Sequence, residues 1–448
     1  MDILIKALQL IMSLSILVIL HELGHYIPAR LFKTKVEKFY LFFDPWFSLV
    51  KKKIGDTEYG IGWLPLGGYV KISGMIDESM DKEQMGRPPE KWEFRAKPAW
   101  QRLIIMLGGV TVNVLLAIFI YSIVLFTWGD KYVSNESLKN GVSCSDFAKD
   151  LGFKDGDKLI SIDGEKVDIF YDIFGEKLKP AYFEMMIYND DGYIVVVNRD
   201  GVDKSIIIGA NFIKHWKDSG REPMFSAETI VKIADFTKNS NSEKAGLLRG
   251  DILLSIGDVE TKSFNKLRGE LQKNQSETVE VSVLRNNKNL VFPVEVSAEG
   301  MIGFVNSSSF ETSIDSFDLA SSFPAGYKLA KKELGGYLSG FALIFNSDND
   351  LMGEVGGFGA IGGMFPSSWN WESFWYLTAF LSLMLAFLNI LPIPALDGGH
   401  VAFLMYEIVV GKPAPEKFME YAQVVGMLLL LTLVVLANGN DVLKLFEK

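Results

Sequence analysis

Cysteine and histidine are scarce in this sequence. One cysteine in 448 residues, Cys144, excludes an internal disulfide, a cysteine-bound iron–sulfur cluster and a zinc module built from several cysteines. Lys and Arg number 45 against 55 Asp and Glu, and the resulting formal charge of −10 argues against a nucleic acid partner. Only 4 histidines are present, so any site that uses imidazole ligands must draw on a small set of positions.

Long apolar runs occupy both ends of the chain, whereas the middle has the composition of a soluble protein. We predict membrane-spanning helices at about 3–26, 103–128, 372–391 and 421–438, because each run is apolar enough to cross a bilayer. The first run lacks a small-residue cleavage site followed by a polar mature start. A retained helix is therefore favoured over a signal peptide.

The charge of the loops predicts the orientation of these helices. Residues 26–102 carry 14 Lys and Arg, including Lys51–Lys53, whereas the N-terminus offers only Lys6. The positive-inside rule then puts this loop in the cytoplasm. With four spans, residues 130–370 and both chain ends lie outside.

The soluble middle contains a repeat. Leu151–Ile162 aligns with Ala245–Ile256 at an offset of 94, and each copy passes through a Gly-Asp turn into a short run ending in Ser-Ile. Such a period suits two tandem small domains. The pattern resembles the circularly permuted PDZ domains of bacterial envelope proteases, which implies α+β domains at 129–222 and 223–308. PDZ domains bind peptide C-termini or extended segments by strand addition, although a pair of spacer domains is an alternative.

A metal-binding motif lies at the end of the first apolar run. His21-Glu22-Leu23-Gly24-His25 is H-E-x-x-H, and on a helix both imidazoles face one ion with Glu22 beside them. There Glu22 could take a proton from a water molecule. Ionisable residues at the end of a membrane span are functional by default. The alternative is a helix end that is simply wet at the membrane surface.

A catalytic zinc site needs a third protein ligand. We interpret His215, in the middle region, as a solvated residue, which leaves a carboxylate or His400. The segment Asn389–His400 directly follows the third apolar run, and its prolines end the helix. Asp397-Gly398-Gly399 then makes a polar turn near membrane depth. Irregular backbone is tolerated there only when it is buried in protein or lines a cavity.

The two motifs together carry a family resemblance over essentially the whole chain. H-E-x-x-H in a first span, followed by N-x-x-P-x-P-x-L-D-G-G-H after a later one, resembles the site-2 protease family of intramembrane zinc metalloproteases, in its bacterial sigma-E regulator branch. The resemblance implies an α-helical membrane protein with four transmembrane helices, a membrane-associated β-hairpin and two inserted PDZ-like domains. It also implies that His21, His25 and Asp397 bind Zn²⁺, that Glu22 is the general base, and that His400 lies near without being a ligand.

Further segments resemble the family around its substrate site. Residues 57–71 are similar to the membrane-associated hairpin, whose edge would hold an unwound substrate by strand addition. The resemblance makes Gly67 and Gly68 in this hairpin, together with Asn113 and Asn389, candidates for binding the substrate backbone or the tetrahedral oxyanion.

Two family motifs are altered in this chain. Gly109–Asn113 has Val110 where the family has proline, and Gly356–Ile361 has Phe358 where the family has proline. Separately, residues 324–345 have an amphipathic pattern, which predicts an interfacial helix.

These interpretations predict a membrane part at 1–128 and another at 309–448, with the PDZ-like pair between them. The predicted function is zinc-dependent cleavage of single-span membrane proteins, such as anti-sigma factors or leftover signal peptides, in the bacterial inner membrane with membrane lipid around it. Two other classes of protein carry requirements of their own. A non-catalytic PDZ scaffold would require the metal motif to be coincidental, and a transporter would require repeated membrane halves.

Overall fold

The computed structural model describes most of the chain. The described residues are 2–65, 67–75, 88–138, 140–174, 177–187, 192–210, 212–220, 223–227, 231–260, 264–306, 312–344 and 355–446.

Helices occur throughout these residues. In chain order they are α1 (Asp2–Leu31), α2 (Ala99–Trp128), α3 (Asp146–Asp150), α4 (Ala181–Ile187), α5 (Phe212–Asp218), α6 (Asn241–Lys244), α7 (Phe264–Lys273), α8 (Leu319–Ile344), α9 (Phe358–Met364), α10 (Trp371–Ile390), α11 (Asp397–Val410) and α12 (Glu416–Phe446).

The strands are short and most lie in the middle of the chain. In order they are β1 (Val36–Leu41), β2 (Val50–Ile54), β3 (Thr57–Ile61), β4 (Tyr69–Ile72), β5 (Asp130–Ser134), β6 (Val142–Cys144), β7 (Lys158–Ile162), β8 (Glu165–Lys166), β9 (Ile169–Phe174), β10 (Lys177–Pro180), β11 (Tyr193–Arg199), β12 (Val202–Ile208), β13 (Phe225–Ala227), β14 (Ile233–Phe236), β15 (Ile252–Ile256), β16 (Val259–Glu260), β17 (Thr278–Arg285), β18 (Lys288–Glu295), β19 (Phe304–Asn306) and β20 (Thr312–Asp315).

The chain forms two compact units. The first, which we call the membrane unit, contains Met1–Asp130 and Asp315–Lys448, and the second, the repeat unit, contains Lys131–Ile173 and Lys177–Ile314. Four helices among the described residues are long and apolar enough to cross a membrane: α1, α2, α10 and α12. The four predicted apolar runs are thus confirmed as helices, and the chain is a membrane protein with β domains.

Helix α2 lies at the centre of the membrane unit and packs against α1, α8, α10 and α11. Glycines permit the closest approach. A Cβ atom at Gly24 of α1 would lie 2.4 Å from the carbonyl oxygen of Gly108, and one at Gly108 would lie 1.9 Å from that of Gly24. Small residues at such crossings bring helix backbones into direct van der Waals contact. Residues on α2 thereby come within reach of the H-E-x-x-H turn of α1.

The strands of the membrane unit form one sheet in the order β2-β3-β1-β4. β3 pairs with β1 in parallel and with β2 in antiparallel, whereas β4 pairs with the other edge of β1. The predicted hairpin at 57–71 is therefore wrong, because β1 separates β3 from β4, and the hairpin is instead formed by β2 and β3. Alternation along a strand identifies which faces are buried but not which strand is its neighbour.

The repeat unit contains two sheets of the same design. One has the order β12-β11-β7-β8 and the other β18-β17-β15-β16. β7 and β15 are the strands that the offset of 94 aligns, so the sequence repeat corresponds to a structural repeat. The identification of the two copies as PDZ-like domains, with a boundary at 222/223, stays a prediction.

Each copy is fixed by the same buried ion pair. Asp157 receives two hydrogen bonds of 2.7 Å from Arg199, and Asp251 receives two of 2.7 and 2.6 Å from Arg285. Burial alone raises the pKa of Asp251, but hydrogen bonds from Arg285 and a backbone N–H outweigh burial and hold the pKa below its ordinary value. The two arginines are 86 residues apart, so the offset of 94 does not align them.

Helix α8 covers the predicted interfacial helix at 324–345 and begins earlier, at Leu319. Its buried face includes Gly326, Ala330 and Glu333. A Cβ atom at Gly326 would lie 2.3 Å from Ser122 Oγ, so α8 packs closely against α2. Its location at a membrane surface stays a prediction.

Candidate metal centre

Three side chains from two helices converge on one point in the membrane unit. His21 and His25 lie one turn apart on α1, and Asp397 is the first residue of α11. The two Nε2 atoms are 3.3 Å apart, and Asp397 Oδ2 lies 3.3 Å from the first and 3.2 Å from the second. The side chains are between 7% and 17% exposed. Among the described residues, this trio forms a group that could hold a metal ion.

The spacing of the three atoms fits tetrahedral zinc. Ligand bonds of about 2.0–2.1 Å in tetrahedral geometry separate the ligand atoms by about 3.3–3.4 Å. The observed separations of 3.2 and 3.3 Å agree with this value. Neutral imidazole Nε2 atoms and a carboxylate oxygen are all acceptors, so a cation is needed to hold them together. Asp397 Oδ2 is buried and has no hydrogen-bond partner among the described residues, as a ligand atom should.

Contacts from α2 determine which imidazole nitrogen faces this point. His25 Nδ1 lies 2.8 Å from the carbonyl oxygen of Ile105, which only accepts, so Nδ1 donates and Nε2 keeps its lone pair. The amide of Asn113 lies 3.0 Å from His21 Nδ1. With Nδ2 facing that nitrogen, Asn113 Oδ1 is buried without a partner in the described part of the chain. We assign the opposite amide orientation, in which Oδ1 accepts the Nδ1 proton and His21 Nε2 is also available.

One face of α2 contacts both histidines of the cluster. Arg102, Ile105, Gly109 and Asn113 are spaced by three or four residues, so they lie along one stripe of the helix. A Cβ atom at Gly109 would lie 2.4 Å from His25 Nε2, so only glycine leaves room for the imidazoles. At the start of the stripe, Arg102 pairs with Glu407 of α11. Neither this ion pair nor Ile105 was predicted from the sequence, although the three- and four-residue spacing of the stripe was a signal.

Irregular backbone between α10 and α11 presents Asp397. Residues 391–396 connect the two helices, and Ala395 has φ 83°, a left-handed conformation that is uncommon for a residue other than glycine. Gly398 lies against this connection, where a Cβ atom would be 2.1 Å from the carbonyl oxygen of Leu391. Asp397-Gly398-Gly399 thus forms the first turn of α11 and not a separate polar turn, and Gly398 brings this helix directly onto the connection. Its location at membrane depth stays a prediction.

The sheet of the membrane unit reaches the same turn of α1. A Cβ atom at Gly68 would lie 3.6 Å from Glu22 Cγ, so the chain entering β4 passes beside Glu22. On β3, the Tyr59 hydroxyl is hydrogen-bonded to the Tyr26 hydroxyl at 2.6 Å. These contacts attach the sheet to both sides of the H-E-x-x-H turn.

The remaining predicted residues are found in different places. Asn389 Nδ2 lies 3.4 Å from His21 Nε2, so this amide faces the cluster. Gly67 has φ 152° and lies against the ring of Phe43. His215 lies on α5 in the repeat unit. The metal group found among the described residues does not include His400, which follows one turn after Asp397 on α11.

At both positions where the family has proline, this chain has a residue whose backbone N–H lies in a setting suited to a donor. Phe358 begins α9, and its N–H lies 3.2 Å from Asn438 Oδ1 of α12, a contact in which a proline could not donate. Asp441 Oδ2 accepts N–H groups of Gly357 and Ala360 at 3.0 and 3.1 Å. Val110 lies inside α2, where proline would remove a helical hydrogen bond.

Comparisons with known proteins identify the family. The model of peptidase family M50 matches residues 9–433. The Regulator of sigma E protease of Haemophilus influenzae is 26% identical over 471 residues, covering 97% of this chain and 98% of that protein. The Metalloprotease MmpA of Caulobacter vibrioides is 25% identical over 458 residues, with 98% and 95% covered. A Ralstonia nicotianae protein named as a zinc metalloprotease is 26% identical over 477 residues, with 99% of each chain covered.

Membrane helices around a histidine–carboxylate cluster define a class, the membrane metallopeptidases. The chain belongs to peptidase family M50, the site-2 protease family. It is a zinc metalloendopeptidase, and the predicted family, metal and enzyme class are confirmed.

Proposed function

We propose that the chain cleaves membrane proteins within or beside their transmembrane segments, with His21, His25 and Asp397 as the zinc ligands and Glu22 as the general base. The observation that carries the proposal is the convergence of three acceptor atoms at 3.2 and 3.3 Å beside a membrane helix. Held by these three residues, zinc would supply an activated water molecule and a positive charge for polarising the scissile carbonyl.

The chain's own residues supply the rest of the chemistry. Glu22 directly follows His21 and lies three residues, about one turn, before His25 on α1. From this position beside the cluster its carboxylate can take a proton from the attacking water and pass it to the leaving amine. Asn389 faces the cluster with its amide nitrogen and is the candidate donor to the oxyanion. Ile105 and Asn113 keep both imidazoles in the orientation that binding requires.

The sheet offers a surface that could bind an unwound substrate. An intact helix shields its carbonyl groups, so the scissile segment must become extended before cleavage. Within 57–71, β3 has partners on both sides, and β4 has a partner only on β1 among the described strands. We therefore infer that β4, entered through Gly67 and Gly68, pairs with the substrate.

The basic loop and the position of the cluster along the helices support one orientation. The two histidines of the cluster lie in the C-terminal half of α1, and α10 ends at Ile390, before the connection to Asp397. Helix α11 has 14 residues, about 21 Å, which is too short to span the bilayer. We propose that the cluster lies toward the cytoplasmic side of the bacterial inner membrane and that the repeat unit lies outside. Labelling of Lys52→Cys by an impermeant reagent from outside would contradict this orientation.

We propose that the two copies of the repeat unit are PDZ-like domains that exclude substrates with bulky outer domains. Suitable substrates are then single-span proteins already trimmed by another protease, such as anti-sigma factors, or leftover signal peptides. Deleting residues 135–305 should leave zinc binding intact and permit cleavage of an untrimmed substrate. Refusal of that substrate by the deleted form, with continued cleavage of a trimmed one, would make the repeat unit a docking module instead.

The test of the proposed function is cleavage of a tagged single-span substrate by the purified, membrane-reconstituted chain. We expect product only with zinc, loss with a chelator, and recovery when zinc is restored. Mass spectrometry should map the cut within or beside the apolar segment. A cut only in a soluble loop far from the membrane would refute intramembrane cleavage. Binding without any cleavage would favour the PDZ scaffold, which membership of a peptidase family already disfavours.

A further inference from the structure

One edge of the membrane unit's sheet combines exposed aromatic rings with consecutive lysines. We call residues 46–54 the basic-aromatic edge, and they comprise the loop before β2 and β2 itself. All five residues of β2 are exposed, including Lys51, Lys52 and Lys53. In the loop, Trp46 is 90% exposed and Phe47 is 57% exposed. The whole chain has a charge of −10, so this basic run contrasts with the overall charge of the chain.

The aromatic rings are held in an ordered arrangement. Trp63 stacks on Trp46 at 6.1 Å and on Phe47 at 5.9 Å, with interplanar angles of 16° and 12°. The indole N–H of Trp63 donates to the carbonyl oxygen of Pro45 at 2.9 Å. Asp44 accepts one hydrogen bond from a serine hydroxyl within the loop and one from a tyrosine hydroxyl on β4. The exposure of the rings is therefore a property of an ordered loop.

Trp46 combines two unfavourable features in water. Its backbone has φ 74°, a region that residues other than glycine rarely adopt, and this conformation presents the indole to solvent. Indole rings favour the membrane–water interface, where the ring is desolvated and its N–H stays near polar groups. A membrane surface would desolvate the indole ring of Trp46 and so offset its exposure, which is unfavourable in water.

We propose that the basic-aromatic edge is a binding surface for anionic phospholipids. The rings lie at the headgroup level, and the lysines bind the phosphate groups. Side chains alternate along a strand, so Lys51 and Lys53 reach to one side of β2 and Lys52 to the other. The carboxylate facing Lys53 across the strands is Glu58, which already accepts a hydrogen bond of 2.7 Å from a tyrosine. Charge complementarity selects anionic over zwitterionic lipid.

This surface is connected to the catalytic helix. Lys52 lies opposite Tyr59 in the β2–β3 register, and the Tyr59 hydroxyl is bonded to Tyr26, next to His25. Lipid binding at the edge would thus fix the depth of the sheet beside the H-E-x-x-H turn. The proposal does not depend on the zinc chemistry, because it concerns residues outside the cluster.

The test uses the full chain with one fluorescent reporter in lipid vesicles. Leu49→Cys in a Cys144→Ser background carries bimane, and the vesicles contain brominated phosphatidylglycerol or brominated phosphatidylcholine at equal mole fraction. We expect the anionic lipid to quench bimane about fivefold more strongly than the zwitterionic lipid, because one lysine near an anionic surface contributes a preference of about that size. The ratio should be larger if all three lysines act together. High salt should reduce this ratio.

Two triple variants make the test specific. Replacing Lys51, Lys52 and Lys53 with Gln should bring the quenching ratio to about one. The matched control replaces three exposed lysines on strands of the repeat unit with Gln, and it should leave the ratio unchanged. These control residues are Lys158, Lys204 and Lys288. Zinc content reports that each variant is folded. Equal quenching by both lipids in the unsubstituted chain, no quenching by either, or a preference that survives the Lys51–Lys53 replacement would each overturn the proposal.

Discussion

The buried carboxylates of the repeat unit and the carboxylate of the metal cluster in the membrane unit have different surroundings. In the repeat unit, the carboxylates of Asp157 and Asp251 each receive two hydrogen bonds from an arginine. In the membrane unit, Asp397 Oδ2 faces two imidazole nitrogens and has no hydrogen-bond partner among the described residues. A buried carboxylate paired with an arginine has its charge compensated within the fold, whereas acceptor atoms that converge on one point are arranged to bind a cation. The predictions below test this contrast.

Removal of Asp397, one of the three acceptors, should have the largest effect on zinc binding and cleavage. Asp397→Ala is expected to lose zinc and all measurable cleavage, because two neutral imidazoles alone bind zinc far more weakly than the full trio. Zinc per chain, measured by elemental analysis of the purified protein, checks this expectation. His215→Ala is the control and should keep its zinc. Full zinc occupancy in Asp397→Ala would contradict the ligand assignment and favour His400.

Breaking the ion pair of the second copy should destabilise only the repeat unit. Arg285→Ala leaves Asp251 buried without its partner, which should cost about 3 kcal/mol or more. Arg249→Ala breaks an exposed pair with Asp235 in the same copy and should have a much smaller effect, because solvent screens that pair. Hydrogen exchange over β15 and β17 measures both. Loss of zinc in Arg285→Ala would break the distinction between the two kinds of buried charge.

Filling the space beside the imidazoles should weaken zinc binding without removing a ligand. A methyl group at Gly109 would overlap His25 Nε2, so Gly109→Ala should lower zinc affinity by about 10–100-fold. Gly340→Ala, where a Cβ atom meets nothing within 4 Å, is the matched helical control. Competition with a chromogenic chelator gives both affinities, and equal values would show that α2 does not shape the site.

The smallest expected effect is at the distal end of α11. Arg102 and Glu407 join this helix to α2, and Asp397 lies at its other end. Either single charge reversal should reduce zinc affinity by about tenfold, and the double reversal Arg102→Glu with Glu407→Arg should restore most of it. No recovery in the double variant would mean that this pair does not position Asp397.

Much of the fold could be predicted from the sequence. The four apolar runs became helices, because apolar length alone determines a spanning segment. Strand pairing could not be predicted, since β1 inserts between β3 and β4 from an earlier part of the chain. Helix α1 also continues to Leu31, beyond the predicted limit near 26, with Pro28 tolerated in its final turn.

The candidate site could likewise be predicted only in part. His21 and His25 were predicted from the H-E-x-x-H spacing, which puts both on one face of a helix. For the third ligand the residues alone left a carboxylate or His400 open, and the family resemblance favoured Asp397. The convergence of all three depends on contacts between segments far apart in sequence, such as His25 with Ile105 and Arg102 with Glu407, which no local pattern specifies.

The most direct test of the central claim separates metal binding from proton transfer. Glu22→Gln changes the proposed base and leaves the three zinc ligands in place. We predict a full complement of zinc and at least about a hundredfold loss of cleavage of a tagged single-span substrate. Cleavage by Glu22→Gln at the wild-type rate, with zinc bound, would contradict the account.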